Sequence, residues 1–250
     1  MGPAVDALTR NAREVLAPTG SLRVGAFFGS PLSMTREIGT GEVHGLCIDL
    51  GRELAQQLDV PFELVSYQRI AEVLAAMQAG DVDFTVSNAT PARAQIVAFS
   101  QTLISLELGY LVPAASAIAT LADVDRPGLR VGVTQGSTSQ GNLPKLLPNA
   151  TVVPAENAAR AVEMFERGEL DLFATNKPTL FEMSDRMPGA RVLDGRWGVE
   201  HIAIAIPKGH ERGREAAMEF LRGFVAEAQE SGLLARAVER AGLRGAVTSG

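Results

Sequence analysis

The chain has 250 residues, of which 46% are hydrophobic and 21% charged, and its formal net charge is -6 at pH 7. This composition indicates a globular protein of one large or two small domains and excludes wholesale disorder. The acidic balance argues against a nucleic-acid partner and against membrane-surface binding, because no basic stripe is present to replace the counterions of a phosphate backbone.

The first predicted element is a short helix from Val5 to Leu16, closed by Pro18 and Gly20. No run of about 18 apolar residues predicts a membrane span. The N-terminal segment also does not read as a signal peptide, because charged residues interrupt any apolar core: Asp6, Arg10, Arg13 and Glu14. We therefore expect either a cytosolic protein or one whose signal has been removed.

Strand and helix patterns alternate from there. The sequence predicts a strand in SLRVGAFFG, a helix in HGLCIDLGRELAQQLDV, a strand in PFELVSY, a helix in IAEVLAAMQAG and a strand in DVDFTVSNA. The first of these helices repeats leucine every fourth residue, at Leu46, Leu50, Leu54 and Leu58. This alternation predicts parallel strands joined by crossover helices, which is an α/β architecture.

The same pattern then restarts. LRVGVTQGST repeats the strand and glycine order of LRVGAFFGSP, and NAARAVEMFERGELDLFATN repeats that of IAEVLAAMQAGDVDFTVSN. Two copies of one unit predict two similar lobes. Long extended runs, ISLELGYLVPA and VEHIAIAIPKG, lead out of and back into the first lobe, and the C-terminal segment predicts a helix broken at Gly232 with no strand after it.

We therefore predict a first lobe of residues 1–112 and 205–250 and an inserted second lobe of residues 113–204. Two crossovers between lobes form a hinge, and a hinged pair of lobes encloses a cleft. Ligands of parallel α/β sheets bind beyond the carboxyl ends of strands. The segments at such positions are FFGSPLSM, SNATPAR, TQGSTS and ATNKP.

SNATPAR has the chemistry of a carboxylate receptor. Thr90 and Pro91 are typical of a helix start, and Arg93 presents a planar fork of donors that matches two carboxylate oxygens. The alternative is an arginine paired with a nearby acid on the surface. In TQGSTS, Gly136 lets the backbone approach closely, while Ser137 and Thr138 offer hydroxyls and amides.

No metal or other cofactor is expected. The only cysteine, Cys47, excludes an internal disulfide and a thiolate metal cage, and we expect it to pack as a small apolar residue. The histidines show no metal-binding spacing: His44, His201 and His210. The sequence contains no nucleophile-elbow motif of hydrolases, no Walker motif of NTPases and no dinucleotide-binding fingerprint of dehydrogenases.

Six pieces in order resemble the extracellular solute-binding proteins of family 3: LRVG, GLCIDLGRELAQQL, AGDVDFTVSNATPARAQIVAFS, VGVTQGSTS, GELDLFATN and IAIPKG. The resemblance runs from about Leu22 to Gly242. It implies a two-lobed clamshell like the type II periplasmic binding proteins, a small carboxylate-bearing ligand, the membrane permease of an ABC transporter as partner, and a periplasmic location.

The resemblance also implies individual roles. It assigns Arg93 to the ligand carboxylate, places Asn88 and Thr90 in the same loop, and places Ser137 and Thr138 in the facing loop. Phe27 and Phe28 fall where the family often has an aromatic wall, although ordinary core packing would explain either one.

Two positions depart from the family. Asn176 stands where amino-acid receptors carry an aspartate for the ligand ammonium, and Lys177 beside it adds positive charge. Losing that pairing should weaken α-amino acid binding by roughly 1.5–3 kcal/mol, which is the scale of a hydrogen bond to a charged group. AFSQTL also replaces the usual Phe-Ser-Pro-Tyr. We therefore expect a carboxylate ligand, either an amino acid or an organic acid without an α-amine.

The alternative is an enzyme similar to the cyclohexadienyl dehydratases on the same fold. That chemistry needs a general acid near the leaving group. The candidates are Glu182, Glu200 and His201, and no pair among them has a telling spacing. A ligand sensor is a third alternative, which the sequence does not separate from a transport receptor, and a binding protein is the favoured interpretation.

Overall fold

A computed structural model describes residues 3–209 and 213–248, so His210 lies outside the described residues. The helices are α1 (Pro3–Leu16), α2 (Leu46–Leu58), α3 (Ile70–Ala79), α4 (Thr138–Leu146), α5 (Ala158–Glu166), α6 (Lys177–Asp185), α7 (Arg214–Glu230) and α8 (Leu233–Arg240). The strands are β1 (Leu22–Phe27), β2 (Thr35–Arg36), β3 (Val43–His44), β4 (Phe62–Tyr67), β5 (Thr85–Asn88), β6 (Val97–Val112), β7 (Arg130–Thr134), β8 (Thr151–Ala155), β9 (Leu172–Asn176), β10 (Arg191–Val192), β11 (Gly198–Pro207) and β12 (Val247–Thr248).

The predicted alternation of strands and helices is confirmed. Strand β1 pairs with β4 in parallel, and β7 pairs in parallel with both β8 and β9. Helix α2 buries the four leucines of its predicted apolar face. Cys47 on the same helix is also fully buried, and burial raises the pKa of its thiol to about 11. It is a core residue, as expected.

Four clusters of buried hydrophobic side chains, two in each lobe, divide the described residues into two lobes. The first core combines residues from Ala12 to Leu106 with residues from Ile202 to Leu243, and we call the part around it the first lobe. The second lobe surrounds the buried side chains between Tyr110 and Trp197. The fold is therefore the predicted α/β clamshell of two lobes.

Two long antiparallel strands connect the lobes. Strand β11 pairs with β6 from Gly198 opposite Leu108 to Pro207 opposite Val97. At its start β6 belongs to the first lobe, and towards its end it pairs with β9 of the second lobe. These two strands form the predicted hinge.

The repeated sequence unit carries a repeated ion pair. In the first lobe the Arg23 guanidinium donates to both carboxylate oxygens of Asp83 at 2.8 and 2.7 Å. In the second lobe Arg130 does the same to Asp171 at 3.0 and 3.1 Å. Each pair ties the first strand of its unit to the segment after the glycine stop. The two units therefore share an ion pair in the structure as well as a pattern in the sequence.

The expectation of no strand after the C-terminal helices was wrong. Strand β12 pairs antiparallel with β6, with Val247 opposite Ser105 and Thr248 opposite Ile104. The chain turns back at Gly242 and Gly245, both at positive φ, and fills an edge of β6 that β9 leaves free. Two residues are too short for a recognisable strand pattern.

Among the described residues, no helix is long and apolar enough to cross a bilayer.

Candidate functional site

A cavity lies between the two lobes, at the carboxyl ends of their strands. It encloses about 700 Å³ of space free of protein atoms, including its open mouth. All four segments predicted at strand ends contribute lining residues: FFGSPLSM, SNATPAR, TQGSTS and ATNKP. The structure therefore brings together residues that are far apart in the sequence.

Every predicted binding residue except Thr90 lines this cavity: Phe27, Phe28, Asn88, Arg93, Ser137, Thr138 and Asn176. Thr90 lies behind Arg93, and its hydroxyl oxygen accepts the Arg93 backbone N–H at 3.2 Å. The helix predicted here is a single 3-10 turn, Arg93–Gln95, because β6 begins at Val97 and leaves no room for more.

Arg93 faces the cavity without a charged protein partner. Its Nη1 donates to the hydroxyl of Ser87 at 2.8 Å. Within the described residues it forms no ion pair. Burial lowers the pKa of the guanidinium, and the negative charge of Glu200 partly offsets this effect. The geometry is that of an anion receptor and differs from that of an arginine held by a surface acid.

Glu200 is the acidic group of the site. It lies on the hinge strand β11, is only 8% exposed and lines the cavity. Its Oε1 accepts from the Thr138 hydroxyl at 3.1 Å, and its Oε2 accepts from the Asn176 amide at 3.4 Å. Burial raises the pKa of this carboxyl, while the charge of Arg93 lowers it. Cavity and hinge meet at this residue.

A hydrogen bond to Glu200 accounts for an asparagine at position 176. Its Oδ1 accepts the backbone N–H of Thr179 at 3.1 Å and so caps α6, while its Nδ2 donates to Glu200. An aspartate at this position has no N–H to donate and would place a second negative charge beside a buried carboxylate. Lys177 is engaged elsewhere, with its Nζ 2.7 Å from Glu107. A carboxyl group is thus present beside Asn176, on β11, which β6 separates from β9.

Of the three candidate general acids, only Glu200 lines the cavity. Glu182 forms an ion pair with Arg186 on α6 at 3.1 Å. His201 is exposed, and its Nδ1 lies 3.1 Å from the Ser105 hydroxyl. Strand alternation places Glu200 and Ile202 on one face and His201 on the other. That alternation was the signal by which the sequence could have marked Glu200 as inward-facing.

The two aromatic residues differ in their surroundings. Phe27 lines the cavity and also packs against the core formed around α3, so both of its expected placements hold. Phe28 is 41% exposed, and the Arg36 guanidinium lies 5.2 Å from its ring centre. Phe28 is therefore a wall of the cavity mouth.

The lobes touch each other around the cavity. Thr179 of the second lobe donates to Ser30 of the first at 3.1 Å. Asn157 of the second lobe donates to Gln68 of the first at 3.3 Å. Gly136, at φ +75°, leaves room for the methyl group of Ala71, which would lie only 2.5 Å from an added Cβ. The two lobes are therefore in direct contact beside the cavity.

Three polar lining residues were absent from the sequence prediction: Gln68, Asn157 and Thr179. Gln68 directly follows β4, Asn157 caps α5, and Thr179 lies in the first turn of α6. Their sequence contexts lack a Gly-Ser-Thr run, and the packing of the lobes reveals them.

Comparison with known proteins agrees with this geometry. Residues 23–242 match the bacterial extracellular solute-binding proteins, family 3. A glutamine-binding protein of Geobacillus stearothermophilus is 27% identical over 202 residues, covering 79% of this chain and 77% of the relative.

Solved structures share the fold at low identity. A mutant of ArgBP from T. maritima superposes with a TM-score of 0.80 at 22% identity, over 92% of this chain and 98% of that one. An ancestral amino acid-binding protein, a precursor of cyclohexadienyl dehydratase, does so with a TM-score of 0.76 at 24% identity, over 95% and 98% of the two chains. With the family match over most of its length, the chain belongs to the bacterial extracellular solute-binding proteins of family 3.

Proposed function

We propose that this protein is the solute-binding receptor of an ABC uptake system and that its ligand is an α-amino acid in its zwitterionic form. One observation carries the proposal. A buried carboxylate, Glu200, and a half-buried guanidinium, Arg93, face the same cavity, and neither has an ion-pair partner among the described residues. Arg93 and Glu200 offset each other only in part, and burying charges without a direct counter-ion is costly, so a ligand that supplies both opposite charges reduces the cost at both groups.

The ligand carboxylate would dock on Arg93. A guanidinium binds two carboxylate oxygens in parallel. Helix α4 begins at Thr138 beside the same cavity, with Ser137 as its N-cap, and the positive end of a helix favours an anion. Ser137 and Thr138 would complete the cage from the second lobe.

The ligand ammonium would dock on Glu200. In the absence of a ligand, burial disfavours the ionised carboxylate, and a neighbouring ammonium would restore it. Thr138 and Asn176 hold both carboxylate oxygens in place from one side. Glu200 therefore takes the role that the family assigns to an aspartate at position 176.

An organic acid without an α-amine, the other ligand class predicted from Asn176, would leave Glu200 unpaired inside a closed site. That class remains a prediction, and Glu200 weighs against it. A calorimetric panel of standard amino acids and of keto, hydroxy and aromatic acids decides between the two. The proposal fails if organic acids bind and amino acids do not. Native mass spectrometry of the purified protein would reveal a co-purified ligand.

A dehydratase is the second candidate function, because burial gives Glu200 the raised pKa that a general acid needs. The hydrogen bonds from Thr138 and Asn176 oppose this role, since donors to both oxygens favour the ionised form. The glutamine-binding relative is also named as a binding protein. Incubation with prephenate or arogenate tests the alternative, and formation of an aromatic product would establish it.

Closure would couple the ligand to transport. We propose lobe boundaries at residues 1–112 with 205–250 and at 113–204; the hydrophobic cores support crossings close to these positions, since Tyr110 and Val112 pack in the second-lobe core and Ile202 and Ile204 in the first-lobe core. Ligand would enter an open cleft, and flexing of β6 and β11 would bring the lobes together over it. A membrane permease would recognise the closed form at the periplasmic face of the membrane.

A further inference from the structure

Beyond Arg93 and Glu200, the cavity is lined by uncharged side chains within the described part of the chain. A zwitterionic ligand uses both of these charges for its own α-carboxylate and α-ammonium. The rest of the wall combines apolar side chains, such as Phe27, Leu32 and Ile70, with uncharged polar ones, among them the amides of Gln68 and Asn157. No ionised group is left for a charge on the ligand's side chain.

We propose that the ligand is an amino acid with an uncharged side chain that ends in a hydrogen-bonding group, read by Gln68 and Asn157. This inference rests on the proposed function, since it presupposes that Arg93 and Glu200 hold the α-groups. A charged side chain would lose part of its hydration there without gaining a counter-ion, which costs more than the partial desolvation of a neutral one.

The two amides come from opposite lobes and are both partly committed. The Oδ1 of Asn157 caps α5 by accepting from the Arg160 backbone at 2.9 Å, so its Nδ2 is left to donate, and it donates to Gln68 Oε1 at 3.3 Å. The Nε2 of Gln68 donates to no group among the described residues. A ligand carbonyl or hydroxyl oxygen could take the place of Gln68 Oε1 and accept from both amides.

The space beyond these amides also offers no free charge. A second cavity, of about 610 Å³ including its open mouth, shares Phe28, Gln68 and Asn157 with the first. Its ionised lining residues, Glu182 and Arg186, already pair with each other at 3.1 Å. A longer side chain that reached past Gln68 would therefore meet two opposite charges that are already paired with each other.

Paired ligands test the proposal by calorimetry on the full chain: the isosteric pairs glutamine with glutamate and asparagine with aspartate, and norleucine with lysine, which adds a terminal ammonium to the same carbon chain. We expect the neutral member of each pair to bind at least about tenfold more tightly, and glutamine to bind more tightly than norleucine. Tighter binding of a charged member overturns the inference while leaving the proposed function intact. Binding of no amino acid at all overturns the proposed function itself.

A variant gives an independent test. Gln68→Glu places a carboxylate at the end of the side-chain region and should improve lysine relative to norleucine by about tenfold or more. Gln68 is exposed and on a loop, so the variant should fold, which its melting curve would check. Gln56→Glu, on the exposed face of α2, makes the same charge change away from the site and should leave the ratio unchanged. An unchanged ratio in Gln68→Glu would show that residue 68 does not face the ligand's side chain.

Discussion

Glu200→Gln separates the binding role of this residue from a structural one. The substitution keeps the shape of the side chain and removes its charge. If Glu200 pairs with a ligand ammonium, the variant loses one charge-assisted interaction, worth roughly 1.5–3 kcal/mol. That loss corresponds to a dissociation constant about 10- to 150-fold larger.

Two opposing effects act on the stability of the ligand-free protein. Because burial raises the folded-state pKa of Glu200, its ionised form costs folding free energy at pH values above the unfolded pKa, and the amide removes this cost. The amide keeps one oxygen that can accept from Asn176 Nδ2, but its N–H₂ group cannot accept from the Thr138 hydroxyl, so that hydrogen bond must reverse or be lost. We expect the two to offset each other to within about 1 kcal/mol, or about 2–4 °C in melting temperature for a chain of this size.

The assay is calorimetric titration with the best-bound amino acid, together with thermal melting of the ligand-free protein. Glu227→Gln, at an exposed position on α7, is the matched control for the loss of one negative charge. A strongly lowered melting temperature with unchanged affinity would refute the reasoning and make Glu200 a structural residue.

Three further predictions concern the same cleft. Arg93→Ala should abolish binding and leave the melting temperature nearly unchanged; a large loss of stability would instead indicate a structural ion pair. Affinity should fall as pH is lowered through the raised pKa of Glu200, because protonation removes the charge that holds the ammonium. Titrations at several pH values should show that protons are released on binding at the acidic end. An affinity that does not change with pH would contradict this role. Gly136→Ala should weaken binding by obstructing closure against Ala71, whereas Gly128→Ala, which also places alanine at positive φ (+88°) but in open space, should bind normally; equal affinities would show that closure does not need this contact.

Most of the fold can be predicted from local patterns in the sequence. The leucines of α2 repeat at helical spacing, and the two LRVG segments predict two equivalent strands, so periodicity and repetition suffice for the elements and for the two lobes. Strand β12 escapes such reasoning because it is two residues long and exists only by pairing with β6.

The site was predictable where its chemistry is local. Arg93, Ser137 and Asn176 follow strand ends within polar loops, and all three line the cavity. Glu200 was recognised only as a candidate acid, since its relation to Asn176 depends on where β11 lies against β9 and α4. The contact of Gln68 with Asn157 joins residues 89 positions apart in different lobes, and no local pattern encodes it.

One zwitterionic ligand binds Arg93 and Glu200 at the same time in the proposed complex. This claim is tested most directly by calorimetry with the best-bound amino acid and with the α-hydroxy acid of the same side chain. The hydroxy acid keeps the carboxylate for Arg93 and lacks the ammonium for Glu200. We predict that it binds at least about tenfold more weakly. Equal or tighter binding of the hydroxy acid would contradict the account and favour an organic-acid receptor.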